Sequence, residues 1–313
     1  MLCLNLPSFD PSFNLAVDEY LLKRENEEFL VTGINGPSVI IGENQVSHME
    51  SDTKFVTGRN IPVIRRISGG GAVFHDFGNL NFSFIVNSMA GRQADFRKFT
   101  GPIIEFLDTV NIRASFWGKN DLKVNDLKIS GNAEYIHRDR VLHHGTLLFN
   151  SRLDIMEGSL RHDKSGYSSR AVMSNPSPVA NLKDFNCSAR DMNDFRLKLM
   201  EYFHEKNREI KIDDFNIAEI EALADSKYRT WEWNYAYGPE YQFRSKFNFS
   251  GKIHSVQMLI KDGIINKCDI DGSDEMADLA KKLAGCKHMV REMQEVFMNK
   301  GFGPEAVDVY SFF

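Results

Sequence analysis

The run Arg65-Arg66-Ile67-Ser68-Gly69-Gly70-Gly71-Ala72-Val73-Phe74-His75-Asp76 constrains this chain more than any other stretch. Three consecutive glycines between apolar segments describe a chain reversal built for close backbone approach. Glycine has no Cβ and adopts positive φ freely, so another group can sit directly against its amides. A cluster of such amides beside fixed cations suits a phosphate or a carboxylate. The residues alone leave a second reading standing, in which the run is a bare turn between two strands.

The surrounding pattern alternates strands and helices. Residues 13–24 read as an amphipathic helix, with Phe13, Val17, Tyr20 and Leu21 at helical spacing after the start signal Pro11-Ser12. Phe29–Thr32 and Ser38–Ile41 read as paired strands about an Asn35-Gly36-Pro37 turn. Ile61–Ile67 is a strand running into the glycines. Leu80, Phe82, Phe84 and Val86 alternate with Asn81, Ser83 and Ile85, a strand with one face in the core. A helix over 94–110, opened near Pro102, comes next. Strands at 119–124, 127–136 and 141–150 follow, with Asn125-Asp126 and Arg138-Asp139 as hairpin tips.

The segment 158–181 is rich in Gly, Pro, Ser and Asn and reads as a long loop, of a length that compact domains use for lids or leave disordered. Helices at 190–205 and 217–228 lead to an aromatic-dense stretch, 230–243, which suits either a hinge or a packed junction. The tail reads strand, strand, helix, helix, with Asp262-Gly263 as a hairpin turn. This order predicts an α+β fold of mixed, mainly antiparallel sheets with helices. It divides into a unit over 1–243 and a small α+β unit over 246–313.

Composition excludes several classes. The 38 basic and 43 acidic residues give a net charge of −5, so no global basic field draws nucleic acid. No apolar run approaches the roughly 18 residues that span a bilayer. The N-terminus has no basic n-region and reaches acid and proline quickly, so it does not read as a signal peptide. Cys3, Cys187, Cys268 and Cys286 are scattered without metal or redox spacing, which predicts reduced thiols in a cytoplasmic protein. Nothing signals oligomerisation, and a monomer is the default expectation.

Chemistry enters with Lys128 in Lys128-Ile129-Ser130-Gly131-Asn132-Ala133, preceded by Asn120-Asp121 and followed by His143-His144-Gly145. If the three arms are adjacent strands, Asp121, Lys128 and His144 face one cleft. The lysine then acts as a point charge on an anionic oxygen. The adjacent histidines point to opposite faces of a strand and do not pair as zinc ligands.

The blocks RRISGGGAVFHDFGNLNFSF, KNDLKVNDLKISGNAEY and HHGTLLFN, in this order, resemble the lipoate–protein ligase family. DPSFNLAVDEYLL and TWEWNYAYGPEYQF extend the resemblance over residues 10–243, and the tail has the size of the family's accessory domain. The resemblance implies a catalytic lipoate- and ATP-binding domain over 1–243 with a fold shared with biotin ligases, and an accessory domain over 246–313. It implies that lipoate and ATP, with Mg²⁺, give lipoyl-AMP, and that the lipoyl group then passes to one lysine of a lipoyl-domain acceptor protein. It assigns Arg66, Ser68, Gly69, Gly70, Gly71, Ala72, Val73 and Phe74 to ATP and lipoyl-AMP. Lys128 becomes the catalytic residue, touching phosphate and lipoyl carbonyl, with His75 and His144 beside it on lipoate. Asp121 is the candidate for Mg²⁺.

Two relatives of that chemistry stay in view. An octanoyltransferase of the same fold would hold its acyl group on a cysteine, and none lies between Cys3 and Cys187. A lipoyltransferase that uses preformed lipoyl-AMP would share these motifs.

Overall fold

The computed structural model describes residues 1–88, 95–204, 207–303 and 306–313. Residues 94 and 205, the expected outer ends of two helices, lie outside the described residues. The architecture is α+β, as expected. An eight-stranded sheet carries, in spatial order, Arg208–Ile210, Leu2–Asn5, Phe29–Gly33, Asn79–Asn87, Arg140–Leu148, Leu127–His137, Asp121–Val124 and Ser115–Trp117. Leu2–Asn5 is parallel to both neighbours and every other pairing is antiparallel.

A three-stranded sheet of Val63–Arg65, Ser38–Ile41 and Val73–His75 packs beside it. The expected pairing of Phe29–Thr32 with Ser38–Ile41 is therefore corrected. The two segments lie in different sheets. Gly36 donates to the Phe9 carbonyl at 2.8 Å in the crossing. Ser38–Ile41 spends its ladder on Val63–Arg65 and Val73–His75 instead.

Two apolar layers cover the large sheet. Helices Phe96–Thr109 and Met192–His204 pack on one face through Ile103, Phe106, Phe195 and Leu199. Helix Pro11–Arg24 packs on the other, with Leu15, Val17 and Leu21 against Phe29, Val31, Ile85 and Leu142. The Asn79–Asn87 strand is covered on both faces rather than one, because it lies at the centre of the sheet.

The first helix is likewise buried nearly all round, not amphipathic. Its polar residues are internally paired. The Glu19 carboxylate accepts from Lys227 and from the Tyr228 hydroxyl, and Asp18 accepts from Ser83. The helix expected over 94–110 begins at Phe96, where the Asp95 carboxylate caps the Lys98 amide, and Pro102 sits inside it rather than at its start.

The C-terminal sheet orders Tyr167–Ser169, Tyr241–Phe249, Lys252–Lys261 and Ile264–Ile270, backed by helices Asp274–Leu283 and Val290–Asn299. Its edge strand comes from the long segment 158–181, which thus holds a short strand. The strand Tyr241–Phe249 runs through positions 243–246. Asp262 (φ 51°) and Gly263 (φ 69°) form the expected hairpin turn.

Two histidines close the junction between this sheet and the rest. His48 Nε2 donates to the His288 carbonyl at 2.8 Å. His288 Nε2 donates to the Phe312 carbonyl at 2.7 Å, so its Nδ1 accepts from the Tyr241 hydroxyl at 2.7 Å. Burial pushes the His288 pKa from 6.5 down to about 4, with Arg161 adding to the shift against the Phe312 bond. Burial and the nearby His288 hold His48 well below its ordinary value too. Between these pH values the unfolded chain binds more protons than the folded one, so stability rises with pH. The contribution is complete above the ordinary histidine pKa of 6.5 and is lost as pH falls to about 4. At about 1.36 kcal/mol per pKa unit, His288 alone is worth about 3 kcal/mol. Thermal melts across this window are expected to fall with acid, and less steeply in His288→Gln.

Candidate active site

Strand register brings the sequence candidates together. Gly33 pairs with Asn81, and Gly131 with Asp121. Asn81 also pairs with Thr146, whose hydroxyl accepts from the Gly131 amide. The row Gly33–Asn81–Thr146–Gly131–Asp121 therefore crosses five strands on one face. The next row on that face holds Val31, Ser83, His144 and Ala133. These rows floor a cavity of about 350 Å³. The glycine loop, the first helix and Val172–Asn175 form its walls.

Lys128 reaches this face by an irregularity. Asp121 pairs with Gly131 and Leu122 with Ser130, but Lys123 pairs with Lys128, so one residue is extra. A bulge of this kind reverses which face the following side chain takes. Ile129 stays in the core behind the sheet, and Lys128 joins Gly131 on the cavity face. The Lys128 ammonium lies 2.8 Å from Asp121 Oδ1. Its Nζ and Cε would stand 3.1 Å from a Cβ at Gly131, so that glycine leaves the ammonium its place. Lys128 exchanges backbone bonds with the long segment, donating to Pro178 at 2.9 Å and accepting from Ala180 at 3.0 Å.

The glycine loop is held from inside. Arg66 donates to the carbonyls of Ile40 (3.1 Å), Gly69 (2.6 Å) and Gly71 (2.9 Å), and to Ser68 Oγ (3.0 Å). No carboxylate pairs with it among the described residues. Burial lowers its pKa to about 10, so it remains a cation at neutral pH. Gly70 takes φ 93°, and a Cβ on Gly42 would overlap the Gly70 carbonyl. These two positions need glycine for the loop to lie flat on its neighbour. Ser174 accepts from the Ala72 amide at 2.7 Å and donates to buried Glu50 at 2.5 Å, tying the long segment across the loop.

The histidines divide. His143 faces away from the cavity, stacked on Phe99 with its Nδ1 2.8 Å from Glu134. His144 faces in. Ser68 Oγ accepts from Arg66 and shares a hydrogen bond of 2.6 Å with His144 Nε2, and His144 Nδ1 lies 3.8 Å from Asp18. His75 is buried and lines the cavity, its pKa pushed down to about 3 by burial, then by Arg66 and His144. It is a neutral ring at any ordinary pH.

Of the sequence candidates, Arg66, Gly70, Gly71, Ala72, Val73, His75, Asp121, Lys128 and His144 line one cavity. Ser68 and Gly69 stand behind it in the Arg66 network, and the Phe74 side chain packs in a core with Val39, Ile41 and Val63. Sequence reasoning missed Asn14, Asp18, Asn35, Asn81 and Ser174. Asn14 and Asp18 carried a usable signal, since they sit four apart on a helix with no continuous charged face.

Residues 10–204 match the lipoyl protein ligase A/B catalytic domain family. The chain belongs to this family. It is 37% identical to Staphylococcus aureus lipoate–protein ligase 1, across 91% of this chain and 90% of that one. It is 35% identical to a Bacillus subtilis lipoate–protein ligase, across 84% and 82%. Among solved family structures, a P. falciparum protein in complex with lipoate superposes with TM-score 0.65 at 25% identity, covering 95% and 94%. A lipoate–protein ligase A bound with ATP gives 0.62 at 27% identity, covering 74% of this chain and 97% of that one. Membership accords with the cation-flanked glycine loop and its lysine on one cavity.

Proposed function

We propose that the protein is an ATP-dependent lipoate–protein ligase, and that the cavity makes lipoyl-AMP and then transfers the lipoyl group. The observation that carries this is the convergence of Lys128, the glycine loop and the unpaired Arg66 charge on one cavity. The ligase names of the relatives and the lipoate- and ATP-bound neighbours support it.

In the first step the lipoate carboxylate attacks the α-phosphorus. A P–O bond forms, the bond to pyrophosphate breaks, and the leaving electrons go to pyrophosphate. Both partners are anions, and Lys128 and Arg66 offset that repulsion where charge accumulates. In the second step the neutral amine of an acceptor lysine attacks the lipoyl carbonyl. A C–N bond forms, the C–O bond to AMP breaks, and the amine proton passes to solvent. Lys128 is placed to hold the carbonyl oxygen as it gains charge.

Asp121 fits a magnesium ion arriving with ATP, because Mg²⁺ needs only one or two carboxylates beside phosphate oxygens. Such an ion supplies neutralisation of the triphosphate. Among the described residues no cluster of His, Cys, Asp and Glu would hold a metal alone. The acceptors in this reading are lipoyl domains of 2-oxoacid dehydrogenases and the glycine cleavage H protein; a lipoyl domain accompanies one archaeal family structure. Residues 1–243 form the catalytic unit and 246–313 the accessory one, working as a cytoplasmic monomer. Among the described residues no helix is long and apolar enough to cross a membrane.

The test is to mix the protein with ATP, Mg²⁺, lipoate and a lipoyl domain, then weigh the domain by mass spectrometry. One lipoyl addition is expected. Addition only when synthetic lipoyl-AMP replaces lipoate and ATP would make the protein a transferase instead.

A further inference from the structure

The far end of the cavity carries polar atoms that adenylation and transfer do not use. Lys128 sits over Gly131, and Gly33 lies three strands away along the same row, about 14 Å at ~4.8 Å per strand. Asn81 and Thr146 lie between them along the row, and Leu6, Leu15, Val31 and Ile40 also line the cavity. An acyl chain whose carboxyl end meets Lys128 therefore ends near Gly33.

The hydrogen bonds there fix which polar atoms are left over. Asn14 Nδ2 gives both its hydrogens to acceptors, the Ser8 carbonyl at 2.9 Å and Asn35 Oδ1 at 2.7 Å. Its amide orientation is thus determined, and Oδ1 finds no partner among the described residues. Asn35, having accepted at Oδ1, donates from Nδ2 to His75 Nδ1 at 2.9 Å. The ring proton of His75 is therefore on Nε2, which also finds no partner. Asn14 and His75 are 8% and 6% exposed, and both line the cavity. Gly33 adjoins both Leu6 and Asn14 at this end, where a Cβ would stand in ordinary contact at 3.4 and 3.7 Å. Two residues that line this end thus carry a leftover acceptor, Asn14 Oδ1, and a leftover donor, His75 Nε2–H; Asn81 Nδ2, next along the row from Gly33, is a further donor without a partner among the described residues.

We propose, building on the ligase reading, that Asn14 and His75 read the distal end of the acyl chain and select an acid ending in a dithiol, the reduced form of lipoate, over the closed dithiolane and over octanoate. A thiol both donates and accepts weakly. One S–H meets Asn14 Oδ1, and a sulfur accepts from His75 Nε2–H. The dithiolane has no donor, so it satisfies His75 and leaves Asn14 unpaired. A terminal methyl satisfies neither. A site with buried hydrogen-bonding groups rejects a ligand that leaves them unpaired more strongly than it rejects a small change in apolar contact.

Pyrophosphate release measured with dihydrolipoate, lipoate and octanoate tests this, without acceptor and with oxygen excluded for the dithiol. Each unpaired group is expected to cost about tenfold in kcat/KM. The dithiol should then lead the dithiolane by about tenfold and octanoate by about a hundredfold. In His75→Phe, which removes the donor and keeps a ring, the dithiolane and octanoate should converge. Octanoate activated as well as the dithiol by the wild-type protein overturns the proposal, whatever the variant does. Pyrophosphate release with none of the acids would instead overturn the ligase reading. Calorimetric binding of the same acids would then decide the order, with equal affinities counting against this floor.

Discussion

Lys128→Ala is expected to slow acyl-adenylate formation by about 10²–10³-fold, the usual cost of removing one preorganised charge-stabilising donor. The variant should stay folded. The Lys128 and Asp121 side chains are 24% and 21% exposed, and part-solvated ion pairs contribute little to stability. The β-bulge that turns Lys128 into the cavity is a backbone feature shared with Ile129 and Leu122, which remain in the core. Lys128→Arg should recover little, because a planar guanidinium does not replace a compact ammonium seated where Gly131 has no Cβ. Pyrophosphate release and a thermal melt on the same preparation check the prediction. Undiminished pyrophosphate release from folded Lys128→Ala would remove Lys128 from the reaction.

Why this site was legible in the sequence, and where it was not, follows from period and distance. Three strands joined by Asn125-Asp126 and Arg138-Asp139 have few ways to pair, so Asp121, Lys128 and His144 on neighbouring arms were readable as one cleft. Asn125, Asp126 and Arg138 all take positive φ, which these tight hairpins require. The bulge that aims Lys128 was not readable, because a period-2 pattern carries no mark of one extra residue. The pairing of Ser38–Ile41 was misread for another reason. Its partners, Val63–Arg65 and Val73–His75, lie more than twenty residues away, and a local turn at Gly36-Pro37 looked sufficient. The burial of the first helix carries no local signal, because its polar residues Asp18 and Glu19 find their partners Ser83, Lys227 and Tyr228 far along the chain.

Arg65→Met is expected to destabilise the fold by about 3–5 kcal/mol, the scale of leaving several buried carbonyls unpaired. Adjacent residues in a strand point to opposite faces. Arg66 accordingly turns toward the cavity, and Arg65 turns away from it into the aromatic stretch 230–243. Arg65 is 0% exposed. It donates to the carbonyls of Gly42 (3.2 Å), Glu43 (2.8 Å), Gln45 (2.6 Å), Trp233 (2.9 Å) and Asn234 (3.1 Å). Trp233 Nε1 returns a bond to the Arg65 carbonyl at 2.7 Å. The stretch is therefore a packed junction, pinned to the strand that enters the glycine loop. Methionine has similar length and none of these donors, so it leaves several buried carbonyls unpaired, each costing about 1–3 kcal/mol before water recovers part. Arg65→Lys should lose nearly as much, since one ammonium cannot span the two chain segments that the guanidinium fork bridges. A domain stability of about 5–15 kcal/mol makes such a loss visible as a lower denaturant midpoint. A loss under about 1 kcal/mol would mean that water replaces the guanidinium at little cost. Unlike Lys128→Ala, this variant should lose adenylation and stability together, because Gly42, which Arg65 holds, lies directly against Gly70 of the loop that walls the site.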